Sequence, residues 1–298
     1  MKSFPSFVTL ALATLLCAAS QAQTLDKIKK EGAITIGHRD ASIPFSYLDD
    51  KQQPIGYSMD ICMKIADAVK AELKLANLKV TLNPVTSATR IPLMANGTID
   101  LECGSTTNNI DRQKQVAFAP TTFITANRLV SKKTSGVSKL DDLKGKTVVS
   151  TAGTTNIKQI TELNGSRNLS MNIMSGKDHA ESFLMVETGR AVAFAMDDIL
   201  LYSLVASSKA PADYVVSNEP LSIEPYAIMM RRDDPSFKKV VDAAITGMMK
   251  SGELERIYAK WFTNAVPPKG INLNLPMSPA LKKVFANPTD SGDPAAYQ

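Results

Sequence analysis

Short runs rich in β-branched residues alternate along the chain with longer segments whose apolar residues recur at helical spacing. The run 33–37 (AITIG) is typical of a strand, and the segment 57–75 places its apolar residues on one helical face. Further strands are predicted over 80–85, 146–151 and 191–195. This alternation of strands and helices predicts an α/β protein.

Two apolar strand-like segments, 122–130 and 222–230, flank a second α/β unit that opens near residue 127. We interpret them as candidate crossings between two lobes. Amphipathic helices are predicted next, over 237–251 and 252–261. The chain beyond them is expected to lie on the surface as a strap and not to form a separate domain.

The N-terminus has the pattern of an export signal. Lys2 precedes an almost uninterrupted apolar run over 7–19, and small residues then occupy positions 20 and 22. This pattern predicts a signal peptide over 1–22 that is cleaved before Gln23, and therefore a periplasmic protein. The apolar run is too short for a permanent membrane anchor. Cys17 raises the alternative of a lipoprotein, which the bulky leucines before it disfavour.

Charge and composition narrow the function further. The formal net charge of +5 becomes +4 on cleavage (+5 less Lys2), and the basic residues are dispersed, so nucleic-acid binding is not expected. Cys62 and Cys103 remain, and they form either one disulfide or two buried free thiols. His38 and His179 show no metal-ligand spacing, so no metal site is expected.

The stretch ECGSTTNNIDR, residues 102–112, carries the most specific chemistry in the chain. Gly104 supplies a sharp turn after a predicted strand, and hydroxyls follow at Ser105 and Thr107. Arg112 closes the stretch, and its planar guanidinium matches a carboxylate with two parallel hydrogen bonds. The stretch therefore predicts a carboxylate-binding turn. A Ser/Thr-rich surface loop is the alternative that these residues alone leave open.

Other polar side chains also follow predicted strands. The Gly-Thr-Thr turn at 153–155 precedes a helix, where free backbone N–H groups favour an anion, although a plain helix cap uses the same turn. Asp197 ends a predicted strand, at the place where open α/β sheets bind ligands. Arg39 and Arg90 lie beside a strand end or a helix start, with a solvated surface position as the alternative for each.

Motifs of catalysis are missing from the sequence. It contains no Gly-x-Ser-x-Gly elbow, no P-loop and no Gly-x-Gly-x-x-Gly. His179 could act as a general base, but no nucleophile accompanies it in the sequence. We therefore expect no catalytic residue and no cofactor, and the sequence favours a binding protein.

Segments spread over nearly the whole mature chain resemble the amino-acid-binding family of extracellular solute-binding proteins, which feed ABC transporters. They are GHRDASIPFSYLD, TSATRIPLMANGTIDLECGSTTNNIDRQKQVAF, DLKGKTVVSTAGTT, KDHAESF, ETGRAVAFAMDD and WFTNAVPPKGINLN. The resemblance implies a type II periplasmic binding protein, in which two α/β lobes are joined by two crossing strands. Lobe 1 would combine 23–126 with 221–298, and lobe 2 would be 127–220.

The resemblance also implies a binding site with two poles for an amino acid. The residues concerned are Arg112, Ser105, Thr107 and Thr155 at the α-carboxylate, Asp197 at the α-ammonium, and Arg39, Ser87, Arg90 and His179 at the side-chain carboxylate. A dicarboxylic amino acid carries net −1, and burying it requires charged partners and complete hydrogen bonding. A neutral side chain would gain little from three arginines.

The function implied is a monomeric periplasmic receptor that captures L-glutamate or L-aspartate by lobe closure and delivers it to an inner-membrane ABC permease. The preference between the two acids stays open, because one methylene changes binding by only about 1–3 kcal/mol. One departure from the family pattern concerns a cysteine. Ala227 follows Tyr226 where a relative has cysteine, so Cys103 lacks that partner and Cys62 is the possible replacement.

Two other functions compete with the receptor. Some relatives with this fold are dehydratases acting on cyclic carboxylates, of the cyclohexadienyl or arogenate type. That reaction needs an acid over the leaving group, and the sequence offers no clear candidate. A sensing module for a signalling partner is disfavoured, because nothing after the binding unit resembles a transmembrane segment or an output domain.

Overall fold

The computed structural model describes residues 24–298, so the predicted signal peptide and its cleavage site lie outside the described residues. In chain order the strands are β1 (Ala33–His38), β2 (Ala41–Ser42), β3 (Ser46–Leu48), β4 (Pro54–Ile55), β5 (Lys79–Pro84), β6 (Leu101–Glu102), β7 (Val116–Phe118), β8 (Phe123–Lys132), β9 (Thr147–Thr151), β10 (Asn172–Gly176), β11 (Ala193–Asp197), β12 (Tyr214–Val216), β13 (Ser222–Tyr226), β14 (Met229–Arg231), β15 (Ala265–Val266) and β16 (Ile271–Asn272). The α-helices are α1 (Thr24–Glu31), α2 (Tyr57–Glu72), α3 (Arg90–Ala95), α4 (Ile110–Gln113), α5 (Thr155–Ser166), α6 (His179–Glu187), α7 (Asp198–Ser207), α8 (Pro235–Lys250), α9 (Glu253–Phe262) and α10 (Pro279–Ala286).

The first lobe is built on a sheet with the strand order β5-β1-β6-β14-β7. β1 runs parallel to β5 and β6, whereas β14 runs antiparallel to β6 and β7. The apolar residues Ile34, Ile36 and Leu101 of this sheet are buried in one core with residues of α2, α8 and α9. Because β1 and β6 are neighbours, the residues after their carboxyl ends, including Arg39 and Gly104, lie at one edge of the sheet.

The second lobe is built on a sheet with the strand order β10-β9-β11-β8-β12. β9 runs parallel to β10 and β11, and each of these three strands leads into a helix. The three helices begin at Thr155, His179 and Asp198, so their N-termini lie at the same edge of the sheet. This edge faces the turn that follows β6 in the first lobe, since the Arg112 guanidinium donates to the Gly153 carbonyl across the lobes.

Two antiparallel strands connect the lobes. The first half of β8 pairs with β13, from Phe123 opposite Tyr226 to Asn127 opposite Ser222, and the second half pairs with β11 and β12. The predicted segments 122–130 and 222–230 are therefore crossing strands, as expected, although β14 follows β13 as a separate strand. The predicted lobe boundaries at 126/127 and 220/221 fall at the second-lobe end of this ladder.

An aromatic cluster anchors the crossing strands in the first lobe. The Phe45 ring meets Phe123 and Tyr226 edge to face, with centroids 5.0 and 5.1 Å apart. The Tyr57 hydroxyl donates to the Thr122 carbonyl at 2.8 Å. Such aromatic pairs add about 0.5–1.5 kcal/mol beyond their buried area. Movement between the lobes is thus expected beyond this cluster, toward the second lobe.

A disulfide and the C-terminal segment also fix the turn that follows β6. Cys62 on α2 and Cys103, directly after β6, form a disulfide, which decides the alternative that the sequence left open. The C-terminal strap packs through α10, whose Leu281 and Phe285 are buried. Beyond it, the Asn108 side-chain amide donates to the carbonyls of Asp290 and Ser291 at 2.9 and 3.3 Å.

Most predicted elements are confirmed with small shifts, and a few are not. The helix after β5 begins only at Arg90, with Thr89 as its N-cap, because Thr86 and Thr89 form their own side-chain turn before it. Strand β10 and the small sheet of β2, β3 and β4 were not predicted. Among residues 24–298 no helix has the length and apolarity to cross a membrane.

Candidate functional site

The turn after β6 approaches its neighbours too closely for any residue but glycine. A Cβ on Gly104 would lie 2.4 Å from Glu102 Oε1 and 2.8 Å from Arg39 Cγ. The Ser58 hydroxyl donates to the Gly104 carbonyl at 2.8 Å, and the Asn108 N–H donates to the Pro225 carbonyl at 2.8 Å. The turn is therefore fixed by α2 on one side and by a crossing strand on the other.

Arg112 lies on α4 immediately after this turn and is buried. The Asn109 side chain caps α4 by accepting from the Arg112 N–H at 2.9 Å. The Arg112 guanidinium donates to the Thr107 carbonyl at 2.8 Å and, across the lobes, to the Gly153 carbonyl at 3.3 Å. Burial, then the charge of Arg90, lower the pKa of Arg112 to about 9, so it stays cationic at neutral pH.

The lobes touch directly beside Arg112. Gly153 has φ +75°, and a Cβ there would lie 2.5 Å from Ala88 Cα in the first lobe. The Thr107 and Thr155 hydroxyls lie 3.5 Å apart across the same gap. The structure is therefore in a closed arrangement.

The two threonines of the Gly-Thr-Thr turn at 153–155 have different roles. The Thr154 side chain caps α5 by accepting from the Ile157 N–H at 3.2 Å, which is the plain helix-cap use of the turn. Thr155 instead faces the crossing strand and donates to Glu224 Oε2 at 2.9 Å. Thr155 thus lies at the contact between the lobes, and its hydroxyl already has an acidic partner.

Asp197 forms the acidic pole of the site. It ends β11, accepts from the Asn156 amide at 2.7 Å, and also accepts from the Tyr226 hydroxyl. Burial, then the charge of Glu224, raise the pKa of Asp197 to about 7. A cation placed here would restore the charged form of this carboxylate, so the environment favours an ammonium ligand.

Arg39, Arg90 and Ser87 are buried at the opposite pole, in the first lobe. Arg90 donates to the Ser105 carbonyl at 3.1 Å and to the Thr106 hydroxyl at 2.5 Å, and it lies 3.9 Å from Glu102. Burial, then the charge of Arg90, lower the pKa of Arg39 to about 10. Two buried cations that act on each other favour anionic partners, and Glu102 is one of these.

His179 reaches the same pole from the second lobe, at the start of α6. Its Nδ1 lies 2.9 Å from the Thr151 hydroxyl, and the ring is buried. Burial, with the charges of Arg39 and Arg90, holds the pKa of His179 well below its ordinary value of 6.5.

The predicted residues also share buried polar atoms that have no hydrogen-bond partner among the described residues. These atoms are Arg39 Nη1, Ser87 Oγ, Arg90 Nε, Ser105 Oγ and His179 Nε2. A buried polar group without a partner costs about 1–3 kcal/mol, and most native polar groups avoid that cost. Their concentration in one place indicates a site for a polar ligand. All nine predicted site residues are brought to this interface between the lobes.

Several residues that contact the candidate site were not predicted from the sequence. Glu224 and Tyr226 come from the crossing strand, Asn156 from the start of α5, and Glu102 from the end of β6. The one available signal was Glu224, a carboxylate within an otherwise largely apolar predicted strand. In the described part of the chain no group of three or more His, Cys, Asp or Glu side chains could hold a metal ion.

Residues 34–264 match the family described as bacterial extracellular solute-binding proteins, family 3. The chain belongs to this family. Its fold is the type II periplasmic binding protein fold, with two α/β lobes and two crossing strands. A solved structure of a mutant of ArgBP from T. maritima agrees, with a TM-score of 0.71 at 26% identity over 80% of this chain and 98% of that chain.

Two curated members of the family are more similar in sequence. The L-glutamate/L-aspartate-binding protein of Pseudomonas aeruginosa is 56% identical, over 97% of this chain and 98% of that protein. The glutamate/aspartate import solute-binding protein of Escherichia coli is 46% identical, over 97% of each chain. Both relatives are named as binding proteins and neither as an enzyme. The chain is therefore a solute-binding receptor of family 3, and the dehydratase alternative is not supported.

Proposed function

We propose that this protein is a periplasmic receptor that captures L-glutamate and L-aspartate and delivers them to an ABC permease in the inner membrane. The names of the two curated relatives support the ligands and the import role. The single observation that carries the proposal from this chain's own residues is the set of unpartnered donors on buried Arg39 and Arg90.

At the α-amino-acid pole, Arg112 binds the α-carboxylate and Asp197 binds the α-ammonium. Ser105 and Thr107 donate to the carboxylate through their hydroxyls, since Ser105 Oγ lacks a partner among the described residues. The Thr155 hydroxyl already donates to Glu224, so Thr155 contributes its backbone N–H at the start of α5. Arg112 comes from the first lobe and Asp197 from the second, so one amino acid engages both lobes. This pole recognises any amino acid and does not select an acid.

Selection of an acid falls to Arg39, Ser87, Arg90 and His179. Arg39 Nη1 and Arg90 Nε are donors on buried cations, and a side-chain carboxylate would accept from both. Ser87 Oγ and His179 Nε2 add polar contacts from the two lobes. A carboxamide has only one acceptor oxygen, so its N–H group would face one of these cationic donors and it should bind more weakly.

Capture follows from contacts that exist only when the lobes meet. The ligand bridges Arg112 and Asp197, and closure also forms the contact of Arg112 with the Gly153 carbonyl. A ligand that binds the closed state more tightly shifts the population toward it. Lobe 1 then comprises 23–126 with 221–298 and lobe 2 comprises 127–220, in a monomer exported by cleavage of residues 1–22.

Calorimetric titration tests the proposal on protein that has been unfolded and refolded to remove any copurified amino acid. L-glutamate and L-aspartate should bind tightly, whereas L-glutamine and L-histidine should bind at least tenfold more weakly. Tight binding of a neutral or basic amino acid alone would contradict the placement of Arg39, Arg90 and His179. Absence of binding by all four would contradict the receptor for acidic amino acids.

A further inference from the structure

A chain of hydrogen bonds behind His179 determines which of its ring nitrogens carries the proton. The Ser182 hydroxyl donates to the Asp178 carbonyl at 2.8 Å, which uses its one proton. Thr151 Oγ1 lies 3.0 Å from Ser182 Oγ and 2.9 Å from His179 Nδ1. All three bonds form only if Thr151 donates to Ser182 and His179 Nδ1–H donates to Thr151.

The neutral His179 ring therefore has its proton on Nδ1 and a bare lone pair on Nε2. Nε2 is buried and has no partner among the described residues, as is true of Arg39 Nη1 and Arg90 Nε nearby. A lone pair repels a carboxylate oxygen but accepts from the N–H of a carboxamide. Only the doubly protonated ring has a donor at both nitrogens.

We propose that His179 distinguishes acids from amides by its protonation: the imidazolium binds the side-chain carboxylate, so capture of an acidic amino acid takes up one proton from solution. The neutral ring is the form that fits a carboxamide. This inference rests on the proposed function, because it requires the ligand side chain to lie at the pole formed by Arg39, Arg90 and His179.

The charges around the ring support the uptake of a proton on binding. Burial is the main cause of the low pKa of His179, and the charges of Arg39 and Arg90, from the first lobe, lower it further. The nearby acids are otherwise engaged, since Glu102 pairs with Arg90 and Asp178 caps α6 by accepting from the Glu181 N–H. A ligand carboxylate would offset both arginines and raise the pKa of the ring.

Proton uptake is measured by calorimetry at pH 8 in buffers with different ionisation enthalpies, such as phosphate and Tris. At this pH Asp197, with its pKa of about 7, is mostly ionised before the ligand binds, so it contributes few protons. The wild-type protein should take up close to one proton per L-glutamate. His179→Gln should take up close to none at the same pH.

The chain supplies a matched control in its other histidine. His38 is also buried, but its Nδ1 lies 3.5 Å from Asp40 and it belongs to no proposed contact. His38→Gln should keep the wild-type proton uptake. It also leaves His179 as the only imidazole in the mature chain, so long-range ¹H–¹⁵N spectra report its protonation directly. The spectra should show Nδ1–H alone in the ligand-free protein and both nitrogens protonated with L-glutamate.

A second variant separates this role from simple packing. Thr151→Val removes the acceptor for Nδ1–H, so a neutral ring can place its proton on Nε2 and donate to the carboxylate. Thr151→Val should bind L-glutamate with little proton uptake. Equal proton uptake by wild type and His179→Gln, or a neutral Nε2–H ring in the complex, would overturn the inference while leaving the receptor intact. Failure of the wild type to bind L-glutamate would instead overturn the proposed function.

Discussion

Replacing Asp197 by Asn should stabilise the ligand-free protein and at the same time abolish tight binding. Asn keeps both hydrogen bonds of the site, since its oxygen can accept from Asn156 and its amide can donate to the Tyr226 hydroxyl. What it removes is a buried negative charge near Glu224. The two effects have opposite signs because the ligand's ammonium is what makes the charge favourable.

The size of the stability effect follows from the pKa of Asp197. A carboxyl whose pKa rises from 3.8 to about 7 on folding destabilises the folded state by roughly 4 kcal/mol above pH 7. Because the pKa of this acid is raised on folding, the destabilisation of the folded state is absent below pH 3.8. It grows between pH 3.8 and 7 and is constant above pH 7. Opening of the lobes would relieve part of it, so ~4 kcal/mol is an upper bound.

Urea unfolding of ligand-free wild type and Asp197→Asn at pH 8 and pH 4 tests this reasoning. The variant should gain stability at pH 8 and very little at pH 4, while its affinity for L-glutamate at pH 8 falls by about 2–5 kcal/mol. Asp198→Asn is the matched control, since Asp198 accepts from Thr125 and Arg128 at 2.6 and 3.0 Å and should only lose stability. Equal stability of Asp197→Asn and wild type at pH 8 would refute the buried-charge argument, and near-native affinity would refute the ammonium role.

Three further predictions concern other parts of the site and its support. Arg112→Ala should weaken binding of every amino acid by several kcal/mol in calorimetry, whereas Arg39→Ala should weaken only the acids; equal losses would contradict the two-pole assignment. Gly153→Ala should raise the Kd at least tenfold by meeting Ala88, while Gly145→Ala, with φ +71° and no atom within 4 Å, shares the backbone strain but should not. Reducing the Cys62–Cys103 disulfide, which closes a separation of 41 residues, should cost ~4 kcal/mol in urea unfolding, and an unchanged midpoint would contradict this.

The turn after β6 could be predicted from sequence because its chemistry is local. Gly104, the hydroxyls after it and Arg112 lie within eleven residues of one another, so the turn and the guanidinium were visible together. Asp197 and Arg39 could be predicted as candidate site residues for a similar reason, since parallel strands place their carboxyl ends at one edge of the sheet. The resemblance to a family then grouped these residues into poles, which local pattern alone could not do.

Long-range partners explain what the sequence could not supply. Tyr226 reaches Asp197 only because β13 pairs with β8, and that register is a property of the folded chain. The Cys62–Cys103 disulfide likewise depends on how α2 packs behind β6. Thr106 lies between Ser105 and Thr107 in the turn after β6, yet its hydroxyl donates to Glu102 and accepts from Arg90, so it supports the arginine.

The balance of buried charge around the site gives an independent argument for the proton on His179. Three cations and three anions there are buried, namely Arg39, Arg90, Arg112, Glu102, Asp197 and Glu224. With all six ionised, the site is neutral before binding, and an acidic amino acid brings net −1 into a place where uncompensated charge is costly. A proton on His179 restores neutrality, whereas a neutral amino acid such as glutamine needs none. The same proton that supplies the missing donor therefore also removes the excess charge, so acid selection and proton uptake are one event in this site.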